Sequence, residues 1–306
     1  MSNLIEGVCP VLSVPFTESG EVDYESFTSL VEWIISIGTK SVLFFGVASE
    51  NIKLNDSERY ALLEALLNLR QGSSLKVVAS VADHSAELAS IRARDYQAMG
   101  VDLINILPPS FFAPSADQIK FHISAILDSV NIPVIVQHLP QSGGLSDVTD
   151  LLTLAKDHSN FAMVKCEANP PIDSIKSVFE ETSGRVKSLI GWGGISWYEG
   201  AQAGAVGIQP GCGVTDLYLW AEQALNQGNL VEFKSRLAKF IPIIAGWLSN
   251  LELLIAAEKR VLQKREIITT DYCRHPTVSI FPEIDGQIAQ ILELVNEVNF
   301  KTDLCK

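Results

Sequence analysis

The chain has 306 residues, 47% apolar and 19% charged, which supplies a large core and excludes a disordered composition. A formal charge of −13 and an isoelectric point near 4.8 argue against nucleic acid and anionic membrane as partners. The five cysteines (Cys9, Cys166, Cys212, Cys273 and Cys305) form no CxxC pair and no Cys/His metal spacing, so they read as structural thiols of a reducing compartment.

The opening MSNLIEGVCP has no basic segment followed by a long apolar one, and no apolar run reaches membrane-spanning length. A cytoplasmic protein without a membrane contact is expected. Val8–Phe16 reads as a first strand, and Tyr24–Gly38 repeats apolar residues at helical spacing before a terminal glycine. Ser41–Val47 is a second strand, followed by a helix that Asn55 or Asp56 can cap. Lys76–Ala82 and Val101–Pro109 are the third and fourth strands, with helices ending near Gly100 and Val130. Ile132–Leu139 and Phe161–Glu167 are the fifth and sixth, followed by helices over Asp147–His158 and Ile172–Thr182. Val186–Gly194 and Ala205–Gly211 are the seventh and eighth, followed by a short helix to Gly204 and one ending near Gly228.

Strands that are continuous apolar runs, each followed by a helix, point to parallel strands covered by helices. Eight right-handed βα units close as a (β/α)8 TIM barrel. The rival is a doubly wound sheet, but no glycine-rich dinucleotide fingerprint follows the first strand. After residue 228 the pattern is helical only. The expected organisation is a barrel over 1–228 and a C-terminal helical extension over 229–306, packed on the barrel or making subunit contacts.

In such a barrel the chemistry sits at the C-terminal strand ends. The sixth strand is an apolar run, FAMV, that ends on Lys165, with Glu167 two positions later. Lysine is seldom fully buried without a partner or a task. One reading is a lysine that extends its ammonium to the surface or pairs with Glu167. The other is an amine nucleophile that attacks a carbonyl to form a Schiff base. Glu167 shares its side of the strand, because side chains alternate with period two.

Taken in order, VPF near the start, GVASE after strand two, PSFFAP after strand four, QHLP on strand five, VKCE on strand six, GWGG on strand seven and AGAVGIQPGCG around strand eight resemble the motifs of the dihydrodipicolinate synthase / N-acetylneuraminate lyase superfamily of class I aldolases. The resemblance implies that Lys165 forms an imine with pyruvate or another 2-oxo acid, with no metal or organic cofactor. It implies that Ala48 and Ser49 bind the carboxylate, that Trp192 and Gly193 meet the distal part of the substrate, and that Glu50 holds its loop. It also implies a homo-oligomer, dimer or tetramer.

The departures from the family pattern concern the proton. The relay tyrosine of strand five is matched by Gln137, and a second relay tyrosine by Phe111. The motif threonines are matched by Val47 and Ala48, and the arginine beyond Y-N-x-P by Ser142. These changes argue against dihydrodipicolinate synthase activity and against ordinary sialic acid cleavage. They mark a divergent branch in which Glu167, His138 or a bound water must take the tyrosine's role. Phe111 makes the strand-four rim apolar. The leading expectation is a lyase that cleaves or forms a carbon–carbon bond next to a 2-oxo acid. The alternatives are a dehydratase of a sugar acid using the same imine, and a 2-oxo acid-binding protein without turnover.

Overall fold

The computed structural model describes residues 4–142 and 145–303, and the side chains of all of these except 142 and 299–303. The expected thiol of Cys305 and the side chain of Ser142 lie outside the described residues. Eight strands alternate with helices. The strands are β1 (Gly7–Val8), β2 (Ser41–Phe44), β3 (Lys76–Val81), β4 (Leu103–Ile106), β5 (Val134–His138), β6 (Phe161–Cys166), β7 (Lys187–Ile190) and β8 (Gly207–Ile208). The helices that follow are α1 (Tyr24–Ser36), α2 (Asp56–Leu69), α3 (Ala86–Met99), α4 (Ala116–Ser129), α5 (Val148–Leu152), α6 (Ile172–Thr182), α7 (Trp197–Gln202) and α8 (Thr215–Asn226). This is the (β/α)8 barrel class read from the sequence. Four further helices come after it: α9 (Leu230–Leu237), α10 (Ile241–Trp247), α11 (Leu251–Lys264) and α12 (Pro282–Asp303).

The chain divides into two compact units, 1–9 with 76–209, and 10–75 with 210–306. In the first unit β1 pairs with β8, and β8, β7, β6, β5, β4 and β3 follow in order, every pairing parallel. All residues of β4 and β5 are buried. That is why these strands, LINI and VIVQH, read as mainly apolar runs rather than as alternating ones. In the second unit Val11 bridges Leu43 of β2 on one side and Gly211 on the other, both in parallel.

The first strand is shorter than its apolar run. Pro10 and Pro15 have no N–H to give to a ladder, so pairing beyond β1 shrinks to isolated bridges at Val11 and Phe16. Helix starts follow their side chains. Asn55 accepts from the N–H of Glu58, whose carboxylate accepts from the Asn55 N–H, closing a capping box on α2. Ser115 and Gln118 do the same for α4. Near Phe240 the helical stretch after residue 228 breaks between α9 and α10, because Pro242 fits the first turn of a new helix and not the interior of an old one. Among the described residues, no helix is long and apolar enough to cross a membrane.

Candidate active site

Lys165 stands one residue from the end of β6, and Gln137 is its register partner on β5. Both side chains, and that of Glu167 just past the strand, therefore share one face of the sheet. All three are more than nine-tenths buried, at 7%, 7% and 4% exposure for Lys165, Gln137 and Glu167. The ladder continues past the strand through the Glu167 N–H, which donates to His138 O at 2.9 Å. This fixes the backbone from which the carboxylate springs.

The Glu167 carboxylate is held from three directions. Lys165 Nζ lies 3.4 Å from Oε1. The Trp192 backbone N–H donates to the same oxygen at 3.0 Å. The Gln137 side-chain amide donates to Oε2. A carboxylate gripped by a lysine, a peptide N–H and a side-chain amide N–H is kept in one rotamer. It presents an acceptor directly beside the only amine on this face of β6.

The donor from Trp192 depends on an uncommon backbone. Trp192 has φ 51°, in the left-handed region that a bulky residue rarely adopts, and Gly193 and Gly194 follow at 61° and 70°. This turn after β7 points its N–H toward Glu167. Gly191 must lack a side chain for a different reason: a Cβ there would land on the Glu167 carboxylate. The Gln141 side-chain amide donates to the Glu167 carbonyl at 2.6 Å, tying the loop after β5 to the end of β6.

His138, also expected at the site, does not join this cluster. His138 follows Gln137 and so faces the opposite side of β5, in register with Cys166. It is buried, and its Nε2 meets Leu145 O at 3.1 Å. A carbonyl can only accept, so Nε2 carries the proton. Burial holds this imidazole below the usual histidine range, against the pull of the Leu145 carbonyl. Phe111 is 87% exposed and meets Phe112 edge-on, with His84 against the other ring. The Trp192 ring is half-buried and Gly193 is buried beside it.

Ala48 and Ser49 belong to the second unit, in a 3-10 turn over Val47–Ser49. The Ser49 hydroxyl donates to Leu12 O at 2.6 Å and its N–H to Gly46 O at 3.1 Å. Glu50 follows with φ 50° and receives Lys259, Lys53 at 3.1 Å and the Arg274 N–H at 3.1 Å. It anchors this loop to α11 and to the segment before α12 within the same unit. Among the described residues, no group of three His, Cys, Asp or Glu side chains is gathered as metal ligands would be.

Three participants escaped the sequence reading: the Trp192 N–H, the Gly191 clearance and the Gln141 amide. GWGG carried a signal for the first two, since a glycine-flanked tryptophan after a strand marks a tight turn. Nothing in QHLPQ distinguished Gln141 as the residue that reaches back.

The sequence matches the model of the Dihydrodipicolinate synthetase family over residues 4–295. It is 23% identical to an L-2-keto-3-deoxyarabonate dehydratase of Azospirillum brasilense, over 93% of each chain. It is 30% identical to a 4-hydroxy-tetrahydrodipicolinate synthase of Staphylococcus carnosus, over 51% of this chain and 53% of that one. Among solved structures, a Ruminococcus gnavus sialic acid aldolase superposes with a TM-score of 0.86 at 22% identity, covering 97% and 98% of the two chains. A dihydrodipicolinate synthase from Rhodopseudomonas palustris gives 0.86 at 19% identity, covering 96% and 98%. With the barrel shared at this level and the family model matched across nearly the whole length, the chain belongs to the dihydrodipicolinate synthetase family.

Proposed function

We propose that this family enzyme, a lyase of the aldolase type, works through an imine between Lys165 Nζ and the C2 carbonyl of a 2-oxo acid, pyruvate in the simplest case. The observation that carries the reading is the placement of Lys165 Nζ 3.4 Å from Glu167 Oε1 at the end of β6. Amine addition to the carbonyl and loss of one water give the protonated imine. In the cleavage direction the C4 hydroxyl gives its proton to Glu167, the C3–C4 pair moves into the imine, and an aldehyde departs. The resulting enamine is protonated at C3, and water releases pyruvate and restores the amine. Gln137 and the Trp192 N–H keep the Glu167 carboxylate aimed throughout. The steps as written need no cofactor.

A second reading is favoured by the Azospirillum brasilense relative, a keto-deoxy sugar acid dehydratase that matches over 93% of both chains. Here the same imine acidifies C3. Glu167 takes the C3 proton and passes it to the C4 hydroxyl, which the enamine expels as water. The two readings share Lys165 and differ in what leaves. We place the enzyme in the cytoplasm as a homo-oligomer, dimer or tetramer, acting on a small-molecule acid.

Borohydride reduction in the presence of pyruvate or a panel of 2-oxo acids tests the imine. An adduct mapped to Lys165 by peptide mass spectrometry, and absent in Lys165→Ala, is expected. No adduct across the panel would falsify the imine reading. Incubation with 2-oxo-3-deoxy sugar acids then separates the two reactions. Products lighter by one water mark the dehydratase, and pyruvate plus an aldehyde marks the aldolase.

A further inference from the structure

A pocket opens in the first unit at the C-terminal ends of β4 and β5, the end at which neighbouring β6 carries Lys165. Leu107 lies one residue past the Ile106–Val136 pair and so comes level with Gln137. Both line the pocket. Its other walls include Ile119 and Ile123 of α4, with Leu145 and Leu151 beside and on α5. Gln137 belongs to the pocket and to the Lys165–Glu167 cluster at once, because its amide donates to Glu167 Oε2. Paired strands lie about 4.8 Å apart, so the pocket begins one strand away from the amine.

The lining selects against polar chains. Most of it is Leu and Ile, and no Asp, Glu, Lys or Arg is among its described walls. A charged group placed there would lose its water without gaining a partner. Hydroxyls are little better matched, since Gln137 already donates to Glu167 and His138 already bonds Leu145 O. The centres of water-sized molecules have about 30 Å³ to occupy, the room of two or three waters at roughly 10–15 Å³ each.

We propose that this pocket receives the far end of the substrate, which is a 4-hydroxy-2-oxo acid with a short aliphatic tail beyond C4. The tail is about the size of the waters it displaces, roughly two or three carbons without hydroxyls. The inference rests on the Lys165 imine. Cleavage of such an acid gives pyruvate and a short aliphatic aldehyde, with no co-reactant. Burial of the tail carbons against Leu and Ile favours this acid over its polyhydroxylated counterpart.

The matched probes are 4-hydroxy-2-oxohexanoate, with an ethyl tail, and 4,5,6-trihydroxy-2-oxohexanoate, with the same skeleton and a hydroxylated one. Borohydride trapping at Lys165, read by mass spectrometry over a concentration series, reports occupancy whether the acid is then cleaved or dehydrated. The ethyl compound should reach half-maximal trapping at about tenfold lower concentration. In Leu151→Trp, which fills the pocket, that advantage should be lost. Ile119→Phe takes its place if the first variant does not fold by circular dichroism. Failure of pyruvate and of both acids to give an adduct would overturn the imine reading, and this inference with it. A pyruvate adduct without preference between the two acids would overturn the pocket assignment alone, as would a preference that survives in the filled variant.

Discussion

A carboxylate that accepts from an amide, a peptide N–H and an ammonium has little freedom left to rotate, and Glu167 is held this way beside an amine. The neutral isostere makes its role measurable. In Glu167→Gln the new NH2 either faces the Trp192 N–H, donor against donor, or turns to Gln137, whose amide must then flip to accept. Borohydride trapping at Lys165 should persist, while turnover of the identified substrate falls by about 10²–10⁴, the usual range for a lost acid–base group. Turnover within threefold of the parent would remove Glu167 as the proton carrier. At this scale the sequence was informative where side chains alternate along one strand: Lys165 and Glu167 had to share a face. Gln137 was legible as the occupant of the tyrosine position. The N–H of Trp192 was not, because a backbone donor is aimed by dihedral angles that residue types constrain only loosely.

At the scale of elements, the strands and helices were read in the right order, and the discrepancies have local causes. Prolines cut the first strand short and separate α9 from α10. The seventh strand ended early because a left-handed turn replaces its last residues. The burial of a further carboxylate, Glu258, was beyond the reach of periodicity. Glu258 sits on α11 among buried neighbours, accepts weakly from the Gly213 N–H at 3.4 Å, and lies where a Cβ on Gly211 would have to be. Burial pushes its carboxyl up to about 7, against the pull of the Gly213 and Cys212 N–H groups. Its folded pKa lies above its unfolded value, so the folded state prefers the protonated acid. The stability it contributes is complete below about pH 4.5 and is lost as pH rises through 7. The difference is on the order of 3 kcal/mol at about 1.4 kcal/mol per pH unit. Thermal melts from pH 5 to 8 should therefore show a falling Tm in the parent. Glu258→Gln keeps the shape and removes the titration, so its profile should be flatter over that window. Parallel profiles for the two proteins would show that Glu258 does not titrate there.

For the molecule as a whole, composition indicated a large core and an acidic surface, and the order of motifs pointed to the family. It left the reaction open, because cleavage and dehydration begin with the same imine and differ only in what the enamine expels. One feature of the entire chain offers a way to follow it. Cys9, Cys166, Cys212 and Cys273 are all buried, and none of them is in a disulfide. Burial raises the thiols of Cys166 and Cys212 to about 12 and that of Cys273 to about 11. Near neutral pH almost none of these three is in the reactive thiolate form. A disulfide reagent added to the native protein, with Cys305 replaced by serine, should therefore label these positions only as fast as the surrounding structure opens. Cys166 lies next to Lys165 on β6, facing the opposite side of the strand, so its labelling rate times the opening of the strand that carries the amine. Reduction of a pyruvate imine onto Lys165 should slow Cys166 and leave Cys273, in the other unit, unaffected. Equal slowing at both positions would mean that the chain opens as one. The cysteines thus act as clocks set at fixed places in the fold, one of them beside the residue whose chemistry is in question.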